Sequence, residues 1–367
     1  MNAHAIPAGT PSGGLDGVVA ATTALSDVNG AVGELIVAGH PIGELAQRTD
    51  YEGLAARLWS LAKDEAVDEA ETRRSLGKAR VAAFRRLGAI LPATDGLTTV
   101  EALRAGIGAV AIRDEQIAPE IMLAGALPVI AAALVRRSRG EEPVAPDASL
   151  GTAADFLRMM RGRGASDEEA KALDTYLVTV ADHGMNASTF TARVVASTQA
   201  DLGMAVTAAY CALTGPLHGG APEPVLDMLD QIGTRDRIGD WVDTALARGE
   251  RLMGFGHRIY KVRDPRADVL RGAVERLGGR GRDLGFAAEV EAYARRALEK
   301  AKPDRKLETN VEFYTAILLD ALAIPRQAFT PVFAVGRCLG WTAHAIEQQR
   351  TGRLLRPAST YVGERAA

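Results

Sequence analysis

Only six histidines occur in the 367 residues, and three of them stand in short polar turns between apolar segments. His183 lies in ADHGMNAS (181–188), His218 in GPLHGGA (215–221) and His257 in GFGHRIYKVRDPR (254–266). Imidazole moves protons near neutral pH because its unperturbed pKa lies there. Neighbouring glycines let a ligand approach the backbone. After GPLHGG come prolines and then Val225, Leu226 and Leu229 at helical spacing, which puts His218 just before a helix N-terminus. The positive end of a helix disfavours imidazolium, so His218 is predicted to stay neutral and donate one hydrogen bond. A neutral histidine so placed can stabilise a developing enolate. The alternative is a turn residue satisfied by backbone.

Gly254, Phe255 and Gly256 lead into Arg258, Lys261, Arg263 and Arg266. This is neither GxGxxG nor a Walker A loop. Exposed amides with four basic residues still make a seat for a phosphorylated or carboxylated ligand, although such charges commonly face solvent. Thr309-Asn310-Val311-Glu312 precedes an apolar helix and has capping-box spacing, with Thr309 as cap and Glu312 reaching back. The other reading makes Glu312 a carboxylate base beside the histidine turns, its pKa raised by burial and lowered by the helix end. Arg337 sits in an otherwise apolar helix and needs a partner, because an unpaired buried charge is costly. Arg356 precedes a proline and is predicted to be extended. The two arginines could bind a dicarboxylate by paired hydrogen bonds; a structural salt bridge is the alternative for Arg337.

The elements that must hold these groups are helical. Apolar residues recur at three- and four-residue steps, as in Leu58, Leu61 and Leu103, Ile107, Val110. Period-two alternation is scarce, and GELIVAG (33–39) after the turn-like Asp27–Gly30 predicts one small N-terminal hairpin. The length suits roughly two domains. A net charge of −3 with 24% charged residues gives no reason to expect nucleic acid or membrane partners. The run 121–135 with Pro128 is too short to span a bilayer and reads as a buried, kinked helix. Cys211 and Cys338 lie in apolar helical contexts and are expected as buried free thiols. The first residues lack the regions of a secretory signal, so the cytoplasm is expected, and Asn186-Ala187-Ser188 would not meet glycosylation machinery. No repeat of 20–50 residues is present. The GPLHGG turn and the stretch 323–331 are the best internal boundaries, and the segment between them reads as an inserted smaller domain.

Together these segments resemble the citrate synthase family, from GLDGVVAATTALSDVNG at 14–30 to RPASTYVG at 356–363. DHGMNASTFTARVVAST, GPLHGGAPEPVL, GFGHRIYKVRDPRA, NVEFYTA and GRCLGWTAHAIEQ carry the likeness, all in family order. The resemblance implies an all-α, two-domain helical fold with a small N-terminal β-hairpin. Residues 1–216 and 324–367 would form the large domain and 217–323 a small, mobile one, in a homodimer. It implies condensation of acetyl-CoA, a co-substrate, with oxaloacetate, then hydrolysis of citryl-CoA, with no metal or permanently bound cofactor. His218 would hold the enol, Glu312 would take the methyl proton and His257 would protonate the oxaloacetate carbonyl. His183, Arg266, Arg337 and Arg356 would bind the oxaloacetate carboxylates, Arg356 from the other subunit. Asn186 would brace His257, and Gly254, Phe255, Gly256, Arg258 and Lys261 would lie along CoA. The family's usual aspartate in NVDFYS is here Glu312, one methylene longer. A 2-methylcitrate synthase using propionyl-CoA shares every motif, and one methyl group is worth only about 1–3 kcal/mol. A weakly active relative that binds CoA or dicarboxylates is the other alternative, favoured by Glu312 alone.

Overall fold

The computed structural model describes residues 15, 17–110, 116–219, 222–278 and 281–364. Three short antiparallel strands come first: β1 (Ser26–Asn29), β2 (Glu34–Val37) and β3 (His40–Pro41), in that order across the sheet. Ser26 pairs with Val37 and Asn29 with Glu34, so residues 30–33 close the first turn. Leu35 and Val37 point into the core while Ile36 is only half-buried. The expected hairpin is present, extended by the two residues of β3.

The first group of helices comprises α1 (Ile42–Arg48), α2 (Tyr51–Lys63), α3 (Glu69–Phe84), α4 (Leu87–Ile90), α5 (Thr99–Gly108), α6 (Pro119–Ser138), α7 (Thr152–Arg161), α8 (Asp167–Val180), α9 (Ala187–Ala196) and α10 (Leu202–Leu213). After the His218 turn come α11 (Pro222–Ile232), α12 (Ile238–Ala247), α13 (Pro265–Arg276), α14 (Leu284–Ala301), α15 (Val311–Ala321) and α16 (Phe329–Thr351). The start signals are local. Asp50, Asp68, Asp201 and Asp283 cap α2, α3, α10 and α14, and Thr98–Glu101 and Ser166–Glu169 form capping boxes for α5 and α8.

The two longest helices are buried along most of their length and organise the rest, as expected where apolar residues leave little polar face. The first, α6, starts with Pro119 at its first turn and continues through Pro128. By length and composition it could cross a membrane, longer than the run 121–135 suggested, but 83% of its apolar window is buried inside the fold. Backbone approaches there are close: a Cβ on Gly125 would lie 2.6 Å from the Ala79 Cβ of α3. The second, α16, packs on the end of α8 in the same way. A Cβ on Gly336 would lie 2.7 Å from Val180 Cγ2, and one on Gly340 3.1 Å from Asp182 Oδ1. The glycines of GRCLG thus bring α16 onto the segment that leads into His183. Cys338 is buried there as expected, whereas Cys211 on α10 is exposed; both are free.

Candidate active site

Three helix starts meet around the histidine turns. Asn186 caps α9 by accepting from the Ser188 and Thr189 amides. Asp264 caps α13 through the Arg266 amide and also accepts from the Val311 amide at 3.1 Å, so it joins the starts of α13 and α15. Asn310 caps α15 by accepting from the Glu312 amide at 3.0 Å. The predicted capping box is therefore not formed: the cap lies one residue on, at Asn310. Thr309 instead donates to the buried Glu291 at 2.6 Å, and Glu312 falls in the first turn with its side chain released from any cap. Helix starts direct amide dipoles of one sign at a common region, which favours bound anions.

The His257 loop is stitched to that α15 start. Phe255 and Thr309 form an isolated antiparallel bridge; Gly256 N donates to the Glu308 carbonyl at 2.7 Å and Asn310 N to the Gly254 carbonyl at 2.9 Å. Asn310 Nδ2 donates to the Gly256 carbonyl at 2.9 Å. Gly254 and Gly256 have φ of +83° and +81°, a region costly for residues with a Cβ. Beyond them the chain folds back so that the Ile259 and Tyr260 amides donate to His257 Nδ1 at 3.0 and 3.1 Å. With Nδ1 an acceptor, the neutral ring carries its proton on Nε2.

All three histidines are held neutral. Burial first, then the positive charges of Arg266 and Lys261, against Asp264, lower His257 to about 4. Burial and then Arg337 lower His218 to about 4. His183 is buried, bonds Tyr260 Oη at 3.0 Å, and is pushed well below its ordinary value by burial and then by Arg266, Arg337, His257 and His218. It is the centre of the cluster, with its ring 5.6 Å from that of His257. His218 is neutral as predicted, but burial and Arg337 are the causes. Its Nε2 lies 2.9 Å from Ser188 Oγ and accepts from the Ser188 amide at 3.3 Å, in the first turn of α9. That leaves Nδ1–H as the donor.

Arg266 is buried and gives Nε and Nη2 to Asp264 at 3.0 and 2.8 Å. Arg337 is also buried, donates Nε to the Val180 carbonyl at 2.5 Å and lies over the Phe333 ring. Among the described residues it forms no ion pair, so the structural salt bridge is not what holds it. Burial lowers its pKa to about 10, against the more distant Asp182. Asp182 itself is tied to His344 at 3.2 Å, and His344 to Arg193 at 2.7 Å. Glu312 is raised to about 7 by burial, opposed by Arg251 and Arg266. The site thus holds a carboxyl near its half-ionised point, neutral imidazole donors and a guanidinium without an anion. That combination can abstract a proton, stabilise an enolate and retain an anionic co-substrate.

Most of the residues singled out in the sequence are brought together. Arg356 is not: it is exposed in an extended C-terminal segment. Asn186 bonds the Gly184 carbonyl, Thr189 and Ser188, and so supports the partner of His218 rather than His257. The brace on the His257 loop is Asn310. Phe255 is buried against Phe313, with ring centroids 5.5 Å apart, whereas Arg258 and Lys261 remain exposed. Sequence reasoning missed Tyr260, Asp264, Ser188 and Trp341, whose Nε1 donates to Ser188 Oγ at 3.1 Å. Asp264-Pro265 was legible as a helix start; nothing in the spacing relates Ser188 to His218.

The sequence model of the family described as "Citrate synthase, C-terminal domain" matches residues 14–358. "Citrate synthase" of Haloferax volcanii is 37% identical, covering 96% of each chain. "2-methylcitrate synthase" of Mycobacterium tuberculosis is 36% identical, covering 95% of this chain and 90% of its own. A solved ternary complex of citrate synthase from Thermoplasma acidophilum with carboxymethyl coenzyme A and oxaloacetate superposes with a TM-score of 0.84 at 27% identity, covering 96% of both chains. With the family model matching residues 14–358 and relatives 36–37% identical over nearly its whole length, the chain belongs to the citrate synthase family.

Proposed function

We propose that the protein condenses acetyl-CoA with oxaloacetate and hydrolyses the resulting citryl-CoA to citrate and CoA. One observation carries the reading: among the described residues buried Arg337 forms no ion pair, neutral His183 and His218 stand near it, and Arg266 links it to neutral His257 and to a carboxyl raised to about 7. Arg337, the remaining donors of Arg266, and His183 would hold the oxaloacetate carboxylates, completed by Arg356 of a second subunit. Glu312 would remove a proton from the thioester methyl group, its pKa matched to the operating pH. His218 Nδ1–H would hydrogen-bond the developing enolate oxygen, and His257 Nε2–H would protonate the ketone oxygen as the new C–C bond forms. Water then cleaves the thioester and CoA leaves as its thiol. Lys261, Arg258 and the Gly254–Gly256 turn would lie along CoA, and segment 217–323 would move over the bound substrates.

The 2-methylcitrate alternative rests on the 36% identity to a relative of that name. The test is release of CoA thiol from acetyl-CoA and propionyl-CoA, each with and without oxaloacetate. Oxaloacetate-dependent release with acetyl-CoA preferred is the expected result. Preference for propionyl-CoA would reassign the product to 2-methylcitrate, and release from neither would sink the proposal.

A further inference from the structure

The N-terminal hairpin supplies no chemistry to the reaction above, yet its tip rests on the loop that carries His257. The Gly30 carbonyl accepts the Lys261 amide at 2.9 Å. A Cβ on Gly30 would fall on the Ile259 carbonyl oxygen and lie 2.6 Å from Ile259 Cγ2. A Cβ on Gly33, where φ is +72°, would lie 2.7 Å from Val262 Cγ2 and 3.1 Å from the Arg263 carbonyl oxygen. On the other side of the tip, Val28 approaches Gly184 so closely that a Cβ there would lie 3.1 Å from Val28 Cγ2. The hairpin therefore touches the backbone beside both His183 and His257.

The segment it presses on is the one that orients the His257 ring. Ile259 offers its carbonyl to the face of Gly30 and its amide to His257 Nδ1, at 3.0 Å; Tyr260 supplies the second amide at 3.1 Å. We propose that Gly30 and Gly33 are positioning residues: the hairpin tip sets the height of residues 259–262 at which two amides hold His257 as the Nε2–H tautomer. A side chain at either glycine must displace that segment outward. An ångström of misplacement at a reacting group can cost about 10²-fold in rate. The inference rests on the reading of His257 as proton donor to the substrate carbonyl.

The experiment uses the full chain with Gly30→Ala, Gly33→Ala, Val262→Ala, the double variant Gly33→Ala/Val262→Ala, and Gly39→Ala. Gly39 occupies the β2–β3 turn with φ +79° and open space for a Cβ, so Gly39→Ala strains the hairpin without touching the loop. Imidazole ¹⁵N shifts, assigned by the signal lost in His257→Gln, report the tautomer without turnover. The wild type and Gly39→Ala should show His257 with Nδ1 unprotonated and Nε2 protonated. Gly30→Ala should show mixed tautomers and a kcat lower by at least about 10-fold. Gly33→Ala should lose activity that Val262→Ala, by removing the opposing methyl groups, partly restores; a role confined to hairpin stability would not be rescued from the loop. A wild-type ¹⁵N pattern in Gly30→Ala, or equal kcat losses in Gly30→Ala and Gly39→Ala, would overturn the proposal. If Gly30→Ala does not fold, absence of rescue in the double variant overturns it. Were wild-type protein to release no CoA in the presence of oxaloacetate, the functional reading would fail, while the ¹⁵N comparison would still decide what the hairpin does.

Discussion

At the scale of single residues, Glu312 is the group whose two sequence readings now separate. Since Asn310 is the cap, Glu312→Gln should leave the helix start intact while removing proton abstraction, a loss of roughly 10²–10⁴-fold in kcat. Glu312→Asp should fall between, because it keeps the carboxylate and shortens its reach. The base must be ionised, so kcat/KM should rise with pH through about 7 and level above it. The linked stability has the opposite slope. A carboxyl raised from 4.5 to about 7 contributes stability fully present below 4.5 and lost as pH rises through 7. The melting temperature of the Gln variant should therefore gain on wild type between pH 5 and 8; parallel pH curves would argue against a raised Glu312. Arg337 is the complementary case, a buried charge without an ion-pair partner among the described residues. Arg337→Met should stabilise the unliganded chain, by about 1–4 kcal/mol if it behaves like other replaced buried charges. In thermal melts, oxaloacetate at 100 times Kd should stabilise wild type by about 2.7 kcal/mol and leave the Met variant unmoved. An equal shift in both would remove Arg337 from the anion site.

At the scale of elements, the start of α15 and the His257 loop behave as one unit because Asn310 serves both. Its Oδ1 caps the helix and its Nδ2 holds the Gly256 carbonyl. Asn310→Ala should cost about 1 kcal/mol for the cap alone, with further loss from the unpaired carbonyl. Asn310→Asp keeps the acceptor and loses the donor, so it should recover much of the melting temperature but not kcat. Full kcat in the Asp variant would show that the Nδ2 bond does not position the loop. The buried Glu291 reinforces the same junction, accepting from Arg263, Thr309 and Tyr314 at 2.5 to 2.6 Å. This is why Arg263, counted in the sequence among four basic ligand contacts, is consumed inside the protein.

At the scale of the whole molecule, the exposed Arg356 is the test of assembly. If it completes the site of a second subunit, mixing Arg356→Ala with His257→Ala should restore part of the activity that each lacks. One site of the mixed dimer then carries both defects and the other carries none. No recovery after demonstrated subunit exchange would place Arg356 outside the partner's site. The three depressed histidines act on the whole fold as well. His218 and His257 contribute stability that is complete above 6.5 and lost as pH falls through about 4.

What the sequence determined by itself was the helical architecture, the hairpin and the cast of chemical groups. These depend on local signals: apolar spacing, turn residues such as Asn29-Gly30, and histidines set among glycines. The neutral state of His218 was also legible, although from a helix end that proved secondary to burial. Tertiary structure decided the rest, because each remaining question concerned a partner distant in the chain. Thr309 gave up the cap to Asn310 because Glu291, on α14, claimed its hydroxyl. Asn186 turned to Ser188, and thereby His218, because α9 begins there. The Nε2–H form of His257 depends on a backward fold of its own loop, and that fold lies against glycines more than 200 residues earlier in the chain. Spacing along a sequence reports which groups share a helix face or a turn; which carbonyl meets which glycine depends on how the elements pack.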